Sequence, residues 1–174
     1  AAYGVIMYVN FVFSSMYIGY SIGAAPIVSY HYGAGNRTEL KNLLKKSLGL
    51  IGLTGIVLTA LAEITSGPLV EIFVGYDREL FEMTCHGFRI YALFFIICGF
   101  NIWSSAFFTA LGNGVVSATI SFLRTLVFQS GAVMLLPIFL GLDGVWLAVV
   151  AAEIMALCVS AIFCVAQRKK YGYL

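Results

Sequence analysis

Apolar residues run along this chain in five long, almost unbroken stretches, and short segments between them hold most of the charge. The stretches are about 3–32, 47–70, 87–111, 115–140 and 145–166, here called A to E. Each is near the roughly 20 residues of helix that a hydrocarbon core of about 30 Å requires. Their apolar character is continuous rather than alternating every 3.6 residues, as expected of helices that meet lipid on one side and protein on another. The pattern predicts an all-α fold, a polytopic membrane bundle with five transmembrane helices. Between A and B, Leu40, Leu43 and Leu44 recur at helical spacing opposite Lys41 and Lys45, after the capping candidates Asn36 and Thr38. This predicts a short amphipathic helix over about 36–46 on the membrane interface; the alternative is a plain extension of helix B.

Composition narrows the class. With 61% hydrophobic and 10% charged residues, the chain carries more apolar surface than one soluble core hides, and lipid is the expected solvent. A net charge of +2, with the basic residues in two clusters, leaves no stripe for nucleic acid. Cys85, Cys98, Cys158 and Cys164 show no ligand spacing and read as small hydrophobes. His31 and His86 fall at opposite membrane faces and cannot share a metal, so neither a metal site nor a cofactor is expected. No initiator methionine or basic leader precedes helix A, which predicts that the chain opens inside a longer protein.

The charges also give an orientation. Arg37, Lys41, Lys45 and Lys46 follow helix A, and Arg168, Lys169 and Lys170 follow helix E; both clusters belong on the cytoplasmic side, with the C-terminus. The B–C connector, with Glu71, Asp77, Arg78, Glu79 and Glu82, and the D–E turn, with Asp143, show no basic excess and belong outside.

Polar groups inside these stretches are the candidate functional residues, because each is costly in lipid. Asn10, Ser14, Tyr17 and Ser21 fall at i, i+4, i+7 and i+11, one face of helix A. That face either lines a cavity or hydrogen-bonds to neighbouring helices. Gly19 and Gly23 form a GxxxG for close helix packing, and Asn101, Ser105 and Thr109 form a weaker polar stripe on helix C. Arg124 on helix D is about 13 Å from the inner end, and Glu153 on helix E about 12 Å from the outer end, at 1.5 Å per residue. A short turn makes D and E antiparallel neighbours, so the two charges can pair near mid-membrane; such a pair is either structural or part of transport. Glu63 and Arg89 form a second candidate pair near the outer surface. Pro26 and Pro137 interrupt helical hydrogen bonding in A and D.

The stretch Ala25–Asn36, APIVSYHYGAGN, resembles a signature of the multidrug and toxic compound extrusion (MATE) transporters, carried by Pro26, Tyr30, Tyr32, Gly33 and Asn36. FRIYAL at Phe88–Leu93, SFLRTLVFQ at Ser121–Gln129 and GLDGVWLAVVAAE at Gly141–Glu153 resemble that family's last three spans in order. The resemblance implies that residues 1–174 are the C-terminal lobe of a twelve-span, two-lobe protein of the plasma membrane, with A to E as its last five spans. It implies an antiporter that exports organic cations and other amphipathic small molecules by alternating access, driven by inward H⁺ or Na⁺. The partners implied are that substrate, membrane lipid and the N-terminal remainder of the same protein. The coupling-ion site is expected outside this chain, since helix C has Phe100 and Asn101 where some members place an aspartate. Other readings are a related lipid-linked oligosaccharide flippase, which calls for more basic residues in its cavity than Arg124, and a membrane scaffold without transport. No enzyme is expected, because no HExxH, GxSxG or similar constellation occurs in any span.

Overall fold

The structure, a computed structural model, describes residues 2–173. It contains α1 (Ala2–Gly33), α2 (Arg37–Val74), α3 (Arg78–Ala92), α4 (Phe94–Ala110) and α5 (Gly114–Phe122), a π-helical segment (Leu123–Gln129) and α6 (Ser130–Tyr171), with no strand among the described residues. Ala2–Gly33 and Arg37–Val74 are each long and apolar enough to cross a membrane, and α3 with α4 form a further span bent by 43° at Leu93. The run Gly114–Tyr171 is 58 residues long, which as one straight helix would reach ~87 Å, far beyond a bilayer. It folds back instead at Gly141, whose φ of 59° and ψ of −134° are open to glycine and not to other residues. The fold-back yields spans four and five.

Beyond that turn the two arms of the hairpin pack antiparallel. Leu136 O lies 2.4 Å from where a Cβ on Gly144 would sit. Ala132 packs with Ala148 and Ala152, flanked by Phe128 and Leu136. Small side chains let the two backbones approach closely, the usual device where lipid supplies no hydrophobic drive for helix association.

Three expectations change. The helix expected over 36–46 is not a separate element: α2 runs from Arg37 without a break. Its leucines explain why, since Leu40 and Leu44 are 1% and 3% exposed and join the main core. Burial against the bundle, rather than against a lipid surface, uses the apolar stripe. Asn36 is the cap, its side chain accepting from Glu39 N–H at 3.1 Å, while Gly35 makes the turn with φ of 68°. Helix C begins earlier than expected, at Arg78, because Asp77 accepts from the N–H groups of Glu79 and Leu80 and caps it. Lastly, the polar segment 167–171 continues α6, and the chain after it is not a solvated tail. Tyr173 is fully buried, stacks edge-on against Phe107 at 5.1 Å and donates to Cys164 O at 2.9 Å. Burial pushes its phenol above the ordinary tyrosine range.

The core lies along α4, which packs against α1, α2, α5 and α6. Phe95, Trp103, Phe107 and Phe108 are its largest buried side chains on this helix. The basic clusters meet at one end of the bundle, where Tyr32 and Tyr171 lie 5.4 Å apart. At the other end His86 Nε2 and Asp143 Oδ1 are 2.8 Å apart, tying α3 to the Gly141 turn.

Candidate functional site

Glu153 is the centre of a buried polar network. Arg124 Nε donates to its Oε1 at 2.7 Å. Asn101 Nδ2 donates to its Oε2 at 2.7 Å and to its backbone carbonyl at 3.0 Å. Ser160 Oγ closes the set by donating to Asn101 Oδ1 at 3.0 Å. Glu153 is 5% exposed and Asn101 not at all, so the carboxylate has both oxygens engaged as it must when shut away from water. Arg124 keeps 22% of its side chain exposed, opening on a cleft. It lies in the π-helical segment, as do its cleft-lining neighbours Thr125 and Gln129. The i→i+5 pattern widens the turn there and gathers these polar side chains on one side, a common use of π-helical turns at working sites.

The cleft, about 420 Å³, has Asn10 and Ser14 on its α1 wall, Ile102 and Ser105 on α4, Ser121 and Arg124 on the opposite wall, and Tyr3, Met7, Tyr91 and Phe94 toward its apolar end. Ser14 Oγ donates to Asn10 Oδ1 at 2.9 Å, leaving the Asn10 amide nitrogen for whatever occupies the space.

The stripe on helix A divides by depth. Asn10 and Ser14 line the cleft, but Tyr17 and Ser21 do not. Tyr17 is 2% exposed, packs against Gly99 and donates to Phe95 O at 2.8 Å. A Cβ on Gly99 would come within 2.5 Å of the Tyr17 ring, so the missing side chain is what admits tyrosine to the α1–α4 contact. Helical spacing shows that residues share a face; it does not show where along that face a neighbouring helix stops covering it. Ser21 is 3% exposed with no hydrogen-bond partner for its Oγ among the described residues.

Other candidates fall in different places. Asn101 belongs to the Glu153 network, while Ser105 and Thr109 bond to Ser117 across the α4–α5 turn at 2.9 and 2.7 Å. Of the signature residues, Asn36 caps α2, Gly33 ends α1, and Pro26, Tyr30 and Tyr32 are exposed. Gly19 and Gly23 meet nothing within 4 Å of an added Cβ; close helix approaches within the chain are made at Gly55, Gly87, Gly99 and Gly144 instead. Glu63 and Arg89 are both exposed and form no ion pair among the described residues. Besides the cleft lining at Tyr3, Met7, Tyr91, Phe94, Thr125 and Gln129, four hydroxyl residues escaped the sequence reading: Ser160, Ser117, Ser121 and Tyr173. Ser117 and Ser121, four apart and twelve to sixteen residues after Ser105, carried a readable signal; Ser160 stands alone in an apolar run and carried none.

A membrane helical bundle with a polar cleft between its spans is the architecture of a transporter lobe. The MatE family model matches residues 1–132, and the chain belongs to that family, whose members are membrane transporters rather than enzymes. Solved structures share the fold. The Vibrio cholerae MATE transporter VcmN in its bent form superposes with a TM-score of 0.89 at 19% identity, over 100% of this chain and 40% of that chain. A MATE transporter in complex with MaL6 gives 0.89 at 18%, over 99% and 39%. The inward-facing conformation of a multidrug resistance MATE family transporter of the MOP superfamily gives 0.85 at 19%, over 98% and 39%. The chain thus spans about 40% of the length of the transporters it resembles in fold. No curated protein matches the sequence.

Proposed function

We propose that this chain is the C-terminal lobe of an antiporter that exports amphipathic or cationic small molecules across the plasma membrane by alternating access, driven by H⁺ or Na⁺. The observation that carries the reading is the cleft itself: Asn10 and Ser14 face Arg124 and Glu153 across space bordered by Tyr3, Met7, Tyr91 and Phe94. Aromatic rings and a methionine suit flat cations through dispersion and cation–π contact, and the amides and hydroxyls orient a polar end. Glu153 is already matched by Arg124, so the cleft presents no free carboxylate of its own. We therefore assign the coupling-ion site to the N-terminal remainder of the protein, the partner with which this lobe forms the substrate path. The basic end, with Arg37, Lys45 and Lys169, is assigned to the cytoplasm together with the C-terminus.

The test uses the full-length protein in drug-sensitive bacterial cells. Asn10→Ala and Ser14→Ala should change the resistance profile among cationic dyes at wild-type expression, while Val12→Ala and Ile64→Ala, on exposed apolar positions, should leave it alone. Collapse of the H⁺ gradient and of the Na⁺ gradient, done separately, identifies the ion. Unchanged dye accumulation with and without the protein would overturn the export reading.

A further inference from the structure

At the basic end of the bundle a second pocket, about 160 Å³, opens between three chain segments: the end of α1 (His31, Tyr32), the start of α2 (Asn36, Arg37) and the end of α6 (Lys170, Tyr171). Its size is about five times the share of one water in the liquid, ~30 Å³, and well below the roughly 300–1,000 Å³ of drug-sized sites. It suits a small polar group and not an exported drug. Its charge is one-sided. Arg37 and Lys170 form no ion pair among the described residues, and Glu39, the acid of that turn, accepts from Asn42 at 3.2 Å and does not line the pocket. His31 Nδ1 is shut off from solvent without a partner among the described residues.

The walls hold the cations in place. Lys170 Nζ sits 5.1 Å from the centre of the Tyr171 ring, and the Arg37 stem packs where a Cβ on Gly172 would fall, 2.7 Å from Arg37 Cδ. Tyr30, 72% exposed, and Tyr32 mark this level as the membrane interface, where amphipathic rings settle among headgroups. Basic pockets between helix ends at that level recognise lipid headgroups.

We propose that this pocket binds a phosphate group, presented by the headgroup of an anionic phospholipid in the adjoining leaflet, with Arg37 and Lys170 as its charge partners and His31 as a donor. No residue of the intramembrane cleft takes part, so the proposal stands or falls apart from the export reading.

The full-length protein is placed in vesicles of phosphatidylcholine with and without phosphatidylglycerol, and retained lipid is measured by native mass spectrometry. Wild type should retain phosphatidylglycerol preferentially. Arg37→Gln and Lys170→Gln should each lower that retention at least about tenfold, the loss of a hydrogen bond between charged groups. Lys41→Gln and Lys45→Gln, exposed at the same end but outside the pocket, should lower it no more than about fivefold, since they contribute only the general attraction of a basic residue to an anionic surface, weakened by salt. Lys170→Gln alters an exposed side chain and keeps the test available if Arg37→Gln folds poorly. Equal losses for pocket and control variants, or no preference for phosphatidylglycerol in wild type, would overturn the site. Thermal stabilisation by inorganic phosphate in pure phosphatidylcholine, abolished by Lys170→Gln and without lipid preference, would keep the phosphate chemistry and overturn the lipid as its source.

Discussion

Replacing Arg124 by methionine is the most informative single perturbation of the cleft. It leaves Glu153, 5% exposed, with Asn101 as its remaining side-chain partner. Breaking a buried pair by removing one member costs about 3–5 kcal/mol, because the survivor stays charged and desolvated. Arg124 keeps 22% of its side chain exposed, so water entering from the cleft offsets part of this and puts the loss near the lower end, about 3 kcal/mol. Glu153→Met should cost about the same, since it strands the guanidinium. The double replacement has no stranded charge. Its cost is the lost carboxylate partner of Asn101, about 1 kcal/mol for a hydrogen bond, plus imperfect packing, together roughly 2–3 kcal/mol. The coupling energy is then about 3 kcal/mol, the top of the range for directly interacting pairs. Thermal unfolding of the purified full-length protein, followed by tryptophan fluorescence, reads these losses at about 1 °C per kcal/mol, since the unfolding entropy grows with chain length and this chain spans 40% of the matched transporter. Each single variant should melt about 3 °C lower, and the double variant no lower than either. Strictly additive shifts would show that the 2.7 Å contact contributes no coupling and would refute the reasoning.

Three further outcomes are expected. Gly99→Ala should cost about 1–3 kcal/mol by overpacking Tyr17, and Tyr17→Leu should relieve much of that; a Gly99→Ala protein as stable as wild type would deny the close approach. Tyr17→Phe should lose about 1 kcal/mol, the bond to Phe95 O, in the same melting assay while the dye-resistance profile stays unchanged, and a changed profile would return Tyr17 to the cavity wall. Single cysteines at Asp77 or Glu79 should react with an impermeant thiol reagent in intact cells, and those at Lys45 or Lys169 should not; reaction at Lys169 would invert the orientation.

The spans were legible because lipid demands long apolar runs and lets charge fall only between them. The fold-back at Gly141 was legible too: GLDG separates two apolar stretches, about 115–140 and 145–166, that together are too long for one straight span. What the sequence hid was which neighbour covers which face. Leu40 and Leu44 look the same in a pattern whether they press on lipid or, as here, on the bundle. Tyr17 and Asn10 share a helical face, but the α4 backbone covers only the deeper of the two. The π-helical segment left no compositional mark, since the residues of LRTLVFQ suit an α-helix equally well. Arg124 and Glu153 could be matched in depth only because a charge in lipid must find a partner. Ser160, a hydroxyl that can return its bond to its own helix, carried no such obligation.

The division of α1 has a consequence for how the lobe works. Its half toward Gly33 is fixed to the rest of the lobe by Tyr17 on Phe95 O, by Tyr20 Oη with Ser47 Oγ at 2.8 Å and by Ser29 on Ala110 O at 2.9 Å. Asn10 and Ser14, in the half that begins at Ala2, bond to each other rather than across to another helix. Alongside the cleft α1 exposes Tyr8, Phe11, Ile18 and Ile22, with Gly4 and Gly19 between them. An apolar face of that length, with its glycines meeting nothing inside this lobe, suits close contact with a helix outside it better than contact with lipid alone. The half of α1 that begins at Ala2 is packed as well: Ala2 and Ile6 lie in the main core, Val5 lies against Val70 and Val74, and Tyr3 stacks on Trp146 at 6.1 Å. The cleft continues onto the exposed apolar face through Met7, Asn10, Ser14 and Ile18, which line both, so a helix docked on that face would border the cleft itself, opposite the Glu153 network whose carboxylate oxygens are both bonded.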